Sequence, residues 1–437
     1  MAEARIVVKN REHLWYLLAE ASQLEHMLML EYLYAGFTLK RGTDEGLTDE
    51  QAAAVRRWAQ ALRRIATQEM LHLALVCNLM SAIGAAPTFA RPNFPQRSNY
   101  FPPTVQLDLL PFGDAALVHF LYLERPEGME RLDAEGFVPA PPHEAFRPDE
   151  ELPRVQDFAT VGHLYRGIAD GLSYLVRRFG ERAVFVGPQR AQATKEIFRW
   201  PQLVPVTDLM SAHAAIDVII EQGEGARGDW RTAHYGQFFD MWNEYREILG
   251  QDPGFEPARP AMAAFTQQPY DVAAPQPLVT DPAAQEHAEL FSLAYEALLQ
   301  LLTRFFTHTT ETDEQLNVLA GAAIGVMTGV LEPLGSALTR LPVGPEYPGR
   351  TTGPAFEMYY PMGNFVPWRE AAWALLSERV GVLRDRCATL AGQDQIAVAV
   401  QNAAERAGNI ADQLTVHVPA ELRAHSAMSA SRQPGRA

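Results

Sequence analysis

Glu69 and His72 stand three residues apart in the run TQEMLHLAL, and Glu31 stands earlier, in LMLEYLYA. Each acid interrupts an otherwise apolar stripe. A charge on a face meant for the core is costly unless something pairs it. For a carboxylate and an imidazole one helical turn apart, the simplest pairing is a shared metal ion. A residue three positions along a helix projects close to the same direction, so both side chains can reach one ion, and a glutamate can bridge to a second.

Two long helices must position these groups. Leu17, Leu24, Met27, Leu28 and Ala35 recur at three- and four-residue spacing and predict a helix over residues 11–40. Thr48 with Gln51 reads as a capping box opening a second helix over 49–82, whose inner side carries Leu62, Ile65, Leu73 and Val76. A short turn joins them, so they form an antiparallel hairpin. Ile65, Glu69, His72 and Val76 then share one face, opposite Met27, Glu31 and Ala35.

A two-metal site needs a comparable set from another helix pair. His213, Asp217, Glu221 and Glu224 step along a predicted helix over 207–222 and just beyond it, and His234 opens the next, predicted over 230–249. The helix around Val161, Tyr165, Ile168, Leu172 and Leu175 offers His163 and Asp170, off its apolar stripe. His163, Tyr165 and Asp217 are further candidates, as ligands or as partners of ligands. Glu25 reads as a solvated charge. Tyr32, Tyr34 and Tyr165 read as packing residues, and His119, His287 and His308 as isolated histidines. Glu31→Ala is expected to leave the metal-free fold intact or steadier, by removing an uncompensated buried charge.

The remaining chain reads as mainly α. Prolines between Gly84 and Asp114 exclude regular helix and predict a long ordered crossover, followed by a short helix over 115–123. Residues 139–153 form another proline-rich loop, and 182–186 have weak strand character. Gln251 to Pro282 reads as a proline-rich linker. Three helices follow, over 284–308, 314–341 and 368–391. Gly321, Gly325 and Gly329 sit four apart in the second of these, and close helix packing is the ordinary reading of that spacing. The expected organisation is a helical bundle over 1–250, a linker over 251–282, a C-terminal helical region packed on the bundle over 283–420, and a disordered tail over 421–437.

The chain has 437 residues, 47% of them apolar, with 37 basic and 53 acidic side chains and a formal charge of −16. It is long enough for two domains. No dense Lys/Arg cluster appears, so neither nucleic acid nor a membrane surface is an expected partner. Cys77 and Cys387 read as buried free thiols. Residues 1–10 are short and charged, unlike a signal peptide, and the expected address is the cytoplasm. The apolar run from Gln315 to Glu332 is shorter than a bilayer requires, roughly 20 residues. No P-loop, G-x-G-x-x-G after a strand, G-x-S-x-G or C-x-x-C is present.

The runs LEHMLMLEYLYA (24–35), IATQEMLHLALVCNLMSAIG (65–84) and IIEQGEG (219–225), with HY at 234 and 235, resemble a particular family. It is the ferritin-like domain of the iminophenyl-pyruvate dimer synthases of violacein and rebeccamycin type, and of their stand-alone relatives. The resemblance covers roughly residues 11–249, and the loop TTGPAFE (351–357) also looks like these relatives. It implies a ferritin-like helical bundle with Glu31, Glu69 and His72 as metal ligands, completed by Glu221 or Glu224 and His234. Where relatives carry a glutamate before a tyrosine on the third helix, this chain has His163 before Leu164 and Tyr165, so one ion or two remain open. The expected cofactor is iron or manganese. The expected activity is a non-haem oxidase or oxygenase, acting with dioxygen on a small amino-acid-derived substrate in natural-product biosynthesis. The alternatives are a non-catalytic ferritin-like metal-binding protein or scaffold and, more weakly, a metal-dependent hydrolase or lyase. A homo-oligomer stays open.

Overall fold

The computed structural model describes residues 5–97, 106–127, 129, 152–153, 156–225, 229–359, 367–391 and 396–423. The chain divides into two compact units: residues 1–263 with 271–275, and 264–270 with 276–437.

Unit 1 is built on α1 (Arg11–Thr38) and α2 (Asp49–Ala82). Asn10 caps α1 by accepting from His13 N. Thr48 and Gln51 form the capping box that opens α2, and Asp49 and Glu50 complement the positive end of its dipole. α1 is buried on nearly every side, because further helices cover the faces that α2 leaves. These are α3 (Asp114–Leu123), α4 (Val161–Phe179), α7 (Leu209–Gly223) and α8 (His234–Gln251), with the one-turn helices α5 (Glu181–Val184) and α6 (Lys195–Phe198) between them. A two-residue antiparallel ladder, β1 (Gln96–Arg97) with β2 (Gln106–Leu107), lies in the crossover. Gly167 and Gly171 let the N-terminal segment lie on α4: a Cβ there would come within 2.6 Å of Ile6 and 2.5 Å of Val8.

Two expectations change in this unit. The stretch from Arg182 is helical, not extended, and Arg11 donates to the carbonyls of Ala183 and Val184, the groups a strand partner would need. The helix expected from Trp230 begins at His234. Residues 230–233 form a turn instead, with Ala233 N donating to Trp230 O and Gly236 packed against Arg231 O.

β3 (Ala261–Ala264) spans the boundary between the units. Unit 2 holds α9 (Pro282–Phe306), α10 (Asp313–Val326), α11 (Glu332–Leu338), the strand β4 (Thr351–Pro354), α12 (Arg369–Leu390) and α13 (Ala397–Val416). The single helix expected over 314–341 is interrupted by a π-turn at Met327–Leu331. Gly325 and Gly329 there face α13, where a Cβ at Gly329 would meet Arg406 Cγ at 2.5 Å. These two glycines therefore serve close helix packing, whereas a Cβ at Gly321 would meet nothing within 4 Å. α13 itself has no counterpart in the sequence expectations. By length and composition the stretch Asp313–Leu338 could cross a membrane, yet more than half of it is buried. Both cysteines are free and buried. Most of the proline-rich loop over 139–153, and the tail beyond residue 423, lie outside the described residues.

Candidate metal centre

Three carboxylates and two imidazoles meet inside unit 1, all essentially without solvent contact: Glu25, Glu69, Glu124, His72 and His234. They form two overlapping groups, Glu25–Glu69–His72 and Glu69–Glu124–His234, within each of which one ligand atom per residue lies inside 4.8 Å of the others. Glu69 is common to both. Its Oε2 is 3.0 Å from His72 Nδ1, and its Oε1 is 2.8 Å from His234 Nδ1. Glu25 Oε2 lies 3.5 Å from His72 Nδ1, and Glu124 Oε1 lies 3.5 Å from His234 Nδ1.

Four helices supply these groups. α1 gives Glu25 and α2 gives Glu69 and His72 from one face. Glu124 is the residue that ends α3, its N–H bonded to Phe120 O, and His234 is the first residue of α8. α7 and α2 add a glutamine to each imidazole: His72 Nε2 faces Gln222 Oε1 at 3.0 Å, and His234 Nε2 faces Gln68 Oε1 at 3.2 Å. An amide oxygen only accepts, so each Nε2 carries the proton and each Nδ1 is turned to the carboxylates. The two outer carboxylates are matched as well. Tyr165 on α4 donates to Glu25, and Tyr32 on α1 donates to Glu124. The Tyr32 ring is held edge-on to Phe120 at 4.8 Å and tilted on Phe238 at 5.0 Å. The result is nearly two-fold: carboxylate, imidazole, glutamine and tyrosine repeat on either side of Glu69.

Electrostatics follow from burial. Desolvation, with the neighbouring Glu69, pushes Glu25 up to about 8 despite His72. Desolvation would raise Glu69 too, but the two imidazolium groups hold it well below the ordinary carboxylate range. Burial opposes charge on both histidines, while the carboxylates win: His72 is raised well above its usual value, and His234 to about 9. Burial and the adjoining carboxylates keep Tyr32 and Tyr165 protonated.

The donor set fits a metal. Among the described residues, the partners of the three carboxylates are imidazole and phenol, not ammonium or guanidinium. His234 Nδ1 is buried, 2.8 Å from Glu69 Oε1 and 3.5 Å from Glu124 Oε1, so in the neutral ring its lone pair is aimed into the cluster. Carboxylate and imidazole together suit iron or manganese.

Of the sequence-predicted residues, Glu69, His72 and His234 lie in this cluster. Glu31 does not. It is buried six residues from Glu25, accepts from Asp108 N at 2.9 Å and stands 3.2 Å from His119 Nε2. It is thus a compensated acid, and His119 is not an isolated histidine. Glu224 is buried against the start of α4, accepting from Gly162 N at 2.7 Å. Glu221 and Asp217 are exposed on α7, and His163 accepts from Ala159 N. His213 pairs with Ser173 at 2.9 Å. Tyr165 touches the cluster through Glu25. Glu25, read as solvated, is in it, and Glu124, Gln68 and Gln222 were not anticipated.

A profile of the Ferritin-like family matches residues 18–243. The chain belongs to the ferritin-like family. It is 28% identical over 422 residues to dichlorochromopyrrolate synthase of Lentzea aerocolonigenes, covering 88% of this chain and 39% of that protein. It is 29% identical over 364 residues to the 2-imino-3-(indol-3-yl)propanoate dimerase of Chromobacterium violaceum, covering 79% and 34%. These relatives are of the imine-dimerising type that the motif runs resemble, and the ferritin-like chain spans less than two fifths of their length. An alignment over 88% of the chain is longer than unit 1, so the likeness extends into unit 2. A crystal structure of a ferritin-like protein from Caulobacter vibrioides aligns over 72% of this chain and 94% of its own, at 17% identity and a TM-score of 0.45.

Proposed function

We propose that this ferritin-like protein is a metal-dependent oxidase or oxygenase of natural-product biosynthesis, acting on a small amino-acid-derived molecule related to the imines its relatives couple. The observation that carries the reading is the sharing of Glu69 between two imidazoles, each backed by its own outer carboxylate. Glu25, Glu69 and His72 would hold one ion, and Glu69, Glu124 and His234 a second, with iron or manganese as the metal. Such an ion supplies redox chemistry with dioxygen when bound.

The chain's own residues have definable tasks. Glu69 presents one oxygen to each half. Gln222 and Gln68 fix the ring orientation and tautomer of His72 and His234, so that both Nδ1 atoms are available. Tyr165 and Tyr32 anchor Glu25 and Glu124 by donating hydrogen bonds to them. Glu25 is the group that carries a proton near neutral pH, and it must release it for a cation to enter. Burial of all five groups keeps water from competing with substrate.

The test is elemental analysis of purified protein beside Glu69→Ala, combined with dioxygen uptake on imines generated in situ from aromatic amino acids. Iron or manganese in the native protein, its loss in the variant and metal-dependent dioxygen uptake support the proposal. Equal, negligible metal in both proteins overturns it. Metal without dioxygen-dependent turnover would instead favour a binding protein.

A further inference from the structure

A cavity of about 360 Å³ lies wholly within unit 2, between α9, α12 and the chain around Thr266 and Tyr359. This is within the size range of small-molecule sites, roughly 300–1,000 Å³. Leu293 of α9 makes its apolar wall with Tyr359, over the almost wholly buried Leu290. On the same margin stand one carboxylate and one guanidinium, Glu289 of α9 and Arg386 of α12.

Two features set this cavity apart from an incidental surface dent. The first is a built polar network at its inner end. Glu357 is buried and accepts from both Thr266 N and Thr266 Oγ1, the latter at 2.7 Å. The Tyr359 hydroxyl, 3.1 Å from Thr266 Oγ1, joins this network and donates its proton within it. Burial and the Glu357 charge push Tyr359 up to about 12, so it keeps that proton. The tyrosine is thereby fixed in place, its ring lining the cavity. The second is the looseness of the charged pair. Arg386 and Glu289 are 3.7 Å apart and each nearly half exposed. Such a pair contributes little to stability, and at that distance the guanidinium fork and the carboxylate both keep hydrogen-bonding capacity. Opposite charges side by side beside an apolar wall match a ligand carrying the complementary charges a few bonds apart from an apolar group.

We infer that this cavity binds a small zwitterion of the amino-acid type, with its carboxylate on Arg386, its cationic nitrogen on Glu289 and its apolar group against Leu293 and Tyr359. The site is separate from the carboxylate–imidazole cluster and needs no metal.

Calorimetric titration of the full chain with L-phenylalanine, 2-phenylethylamine and 3-phenylpropanoate tests it. L-Phenylalanine should bind with a Kd of about 1 mM or tighter, and each singly charged analogue about tenfold more weakly. Arg386→Ala should weaken L-phenylalanine and 3-phenylpropanoate but leave 2-phenylethylamine unchanged, and Glu289→Ala should do the reverse. Leu293→Trp, which fills the cavity, should abolish all three. Should that variant fail to fold, the two half-exposed charge variants still decide. Glu69→Ala should leave the titrations as they are, so failure of the metal proposal does not register here. No binding of L-phenylalanine by the wild type overturns the inference, as does binding that survives both charge variants or disappears only with Glu69→Ala.

Discussion

Both units bury charge, and they do so in opposite ways. In unit 2, Arg304 and Glu311 are 1% and 0% exposed. Arg304 Nε donates to Glu311 Oε1 at 2.6 Å, Trp373 Nε1 adds a bond to the same oxygen, and Thr309 N donates to the other at 2.9 Å. Every charge has a counter-charge and hydrogen bonds, which is how a buried ion pair survives on structural grounds. In unit 1, three carboxylates face two imidazoles, and their partners are groups that ligate metals as readily as they donate protons. Burial alone is therefore uninformative about function. What separates an internal strut from a candidate metal centre is whether the enclosed charges are already matched by a guanidinium.

Single substitutions on either side put this contrast at risk. Glu69→Ala should remove essentially all bound iron or manganese, read by elemental analysis, because each half of the centre loses the oxygen it shares. Arg304→Ala should leave metal content untouched but cost about 3–5 kcal/mol by denaturant unfolding, since Glu311 is left buried and unpaired. If Arg304→Ala also emptied the centre, the two regions would not be distinct.

pH should act on the units in opposite directions. In metal-free protein, Glu25 and His234 have folded values raised to about 8 and about 9. Their stabilising contribution is complete below their unfolded values and is lost as pH rises through 8 and 9. Glu311 is the reverse: burial pulls it up, yet Thr309 N–H and Arg304 hold it below the ordinary range. Its contribution is present above the unfolded carboxylate value and lost as pH falls through the lower, folded one. Hydrogen exchange, corrected for intrinsic rates, should show α1 and α2 loosening on the alkaline side and α9 on the acid side. Saturating metal should suppress the alkaline change.

Smaller effects sharpen the picture. Gln222→Leu and Gln68→Leu should each weaken metal binding by about 10–100-fold while leaving the fold intact, as measured by competition with a chelator. Glu31→Ala should retain full metal content and cost about 1–3 kcal/mol, because Asp108 N loses its acceptor. That reverses the expectation of a neutral or stabilising change, which treated Glu31 as uncompensated.

The error over Glu31 shows where sequence reasoning reached its end. Helix boundaries were legible wherever a cap declared them, as at Thr48 and Gln51. The Glu69–His72 pair was legible because α2 keeps one buried stripe as far as Glu69, before it is enclosed on all sides from Leu71 to Ala82. α1 is buried around almost its whole circumference, so its apolar pattern ranks no face above another, and Glu25 and Glu31 could not be told apart. Glu124 carries no periodic signal, since it simply ends an apolar helix. Gln68 and Gln222 became visible only when α7 and α8 were seen to converge on α2. α13 escaped notice for a related reason. Its inner face, Val400, Ala403, Ala407, Ile410 and Leu414, has helical spacing, but the alanines make that stripe faint beside the polar residues around it.

The order of the five clustered groups along the chain has a consequence for biogenesis. Glu25, Glu69 and His72 all belong to a hairpin complete by residue 82, whereas Glu124 and His234 arrive much later in synthesis. Local helical pairing is fast, and closure over more than a hundred residues is slow. One half of the centre is thus assembled while the other half is still being translated, and a nascent chain presents the first before the second exists.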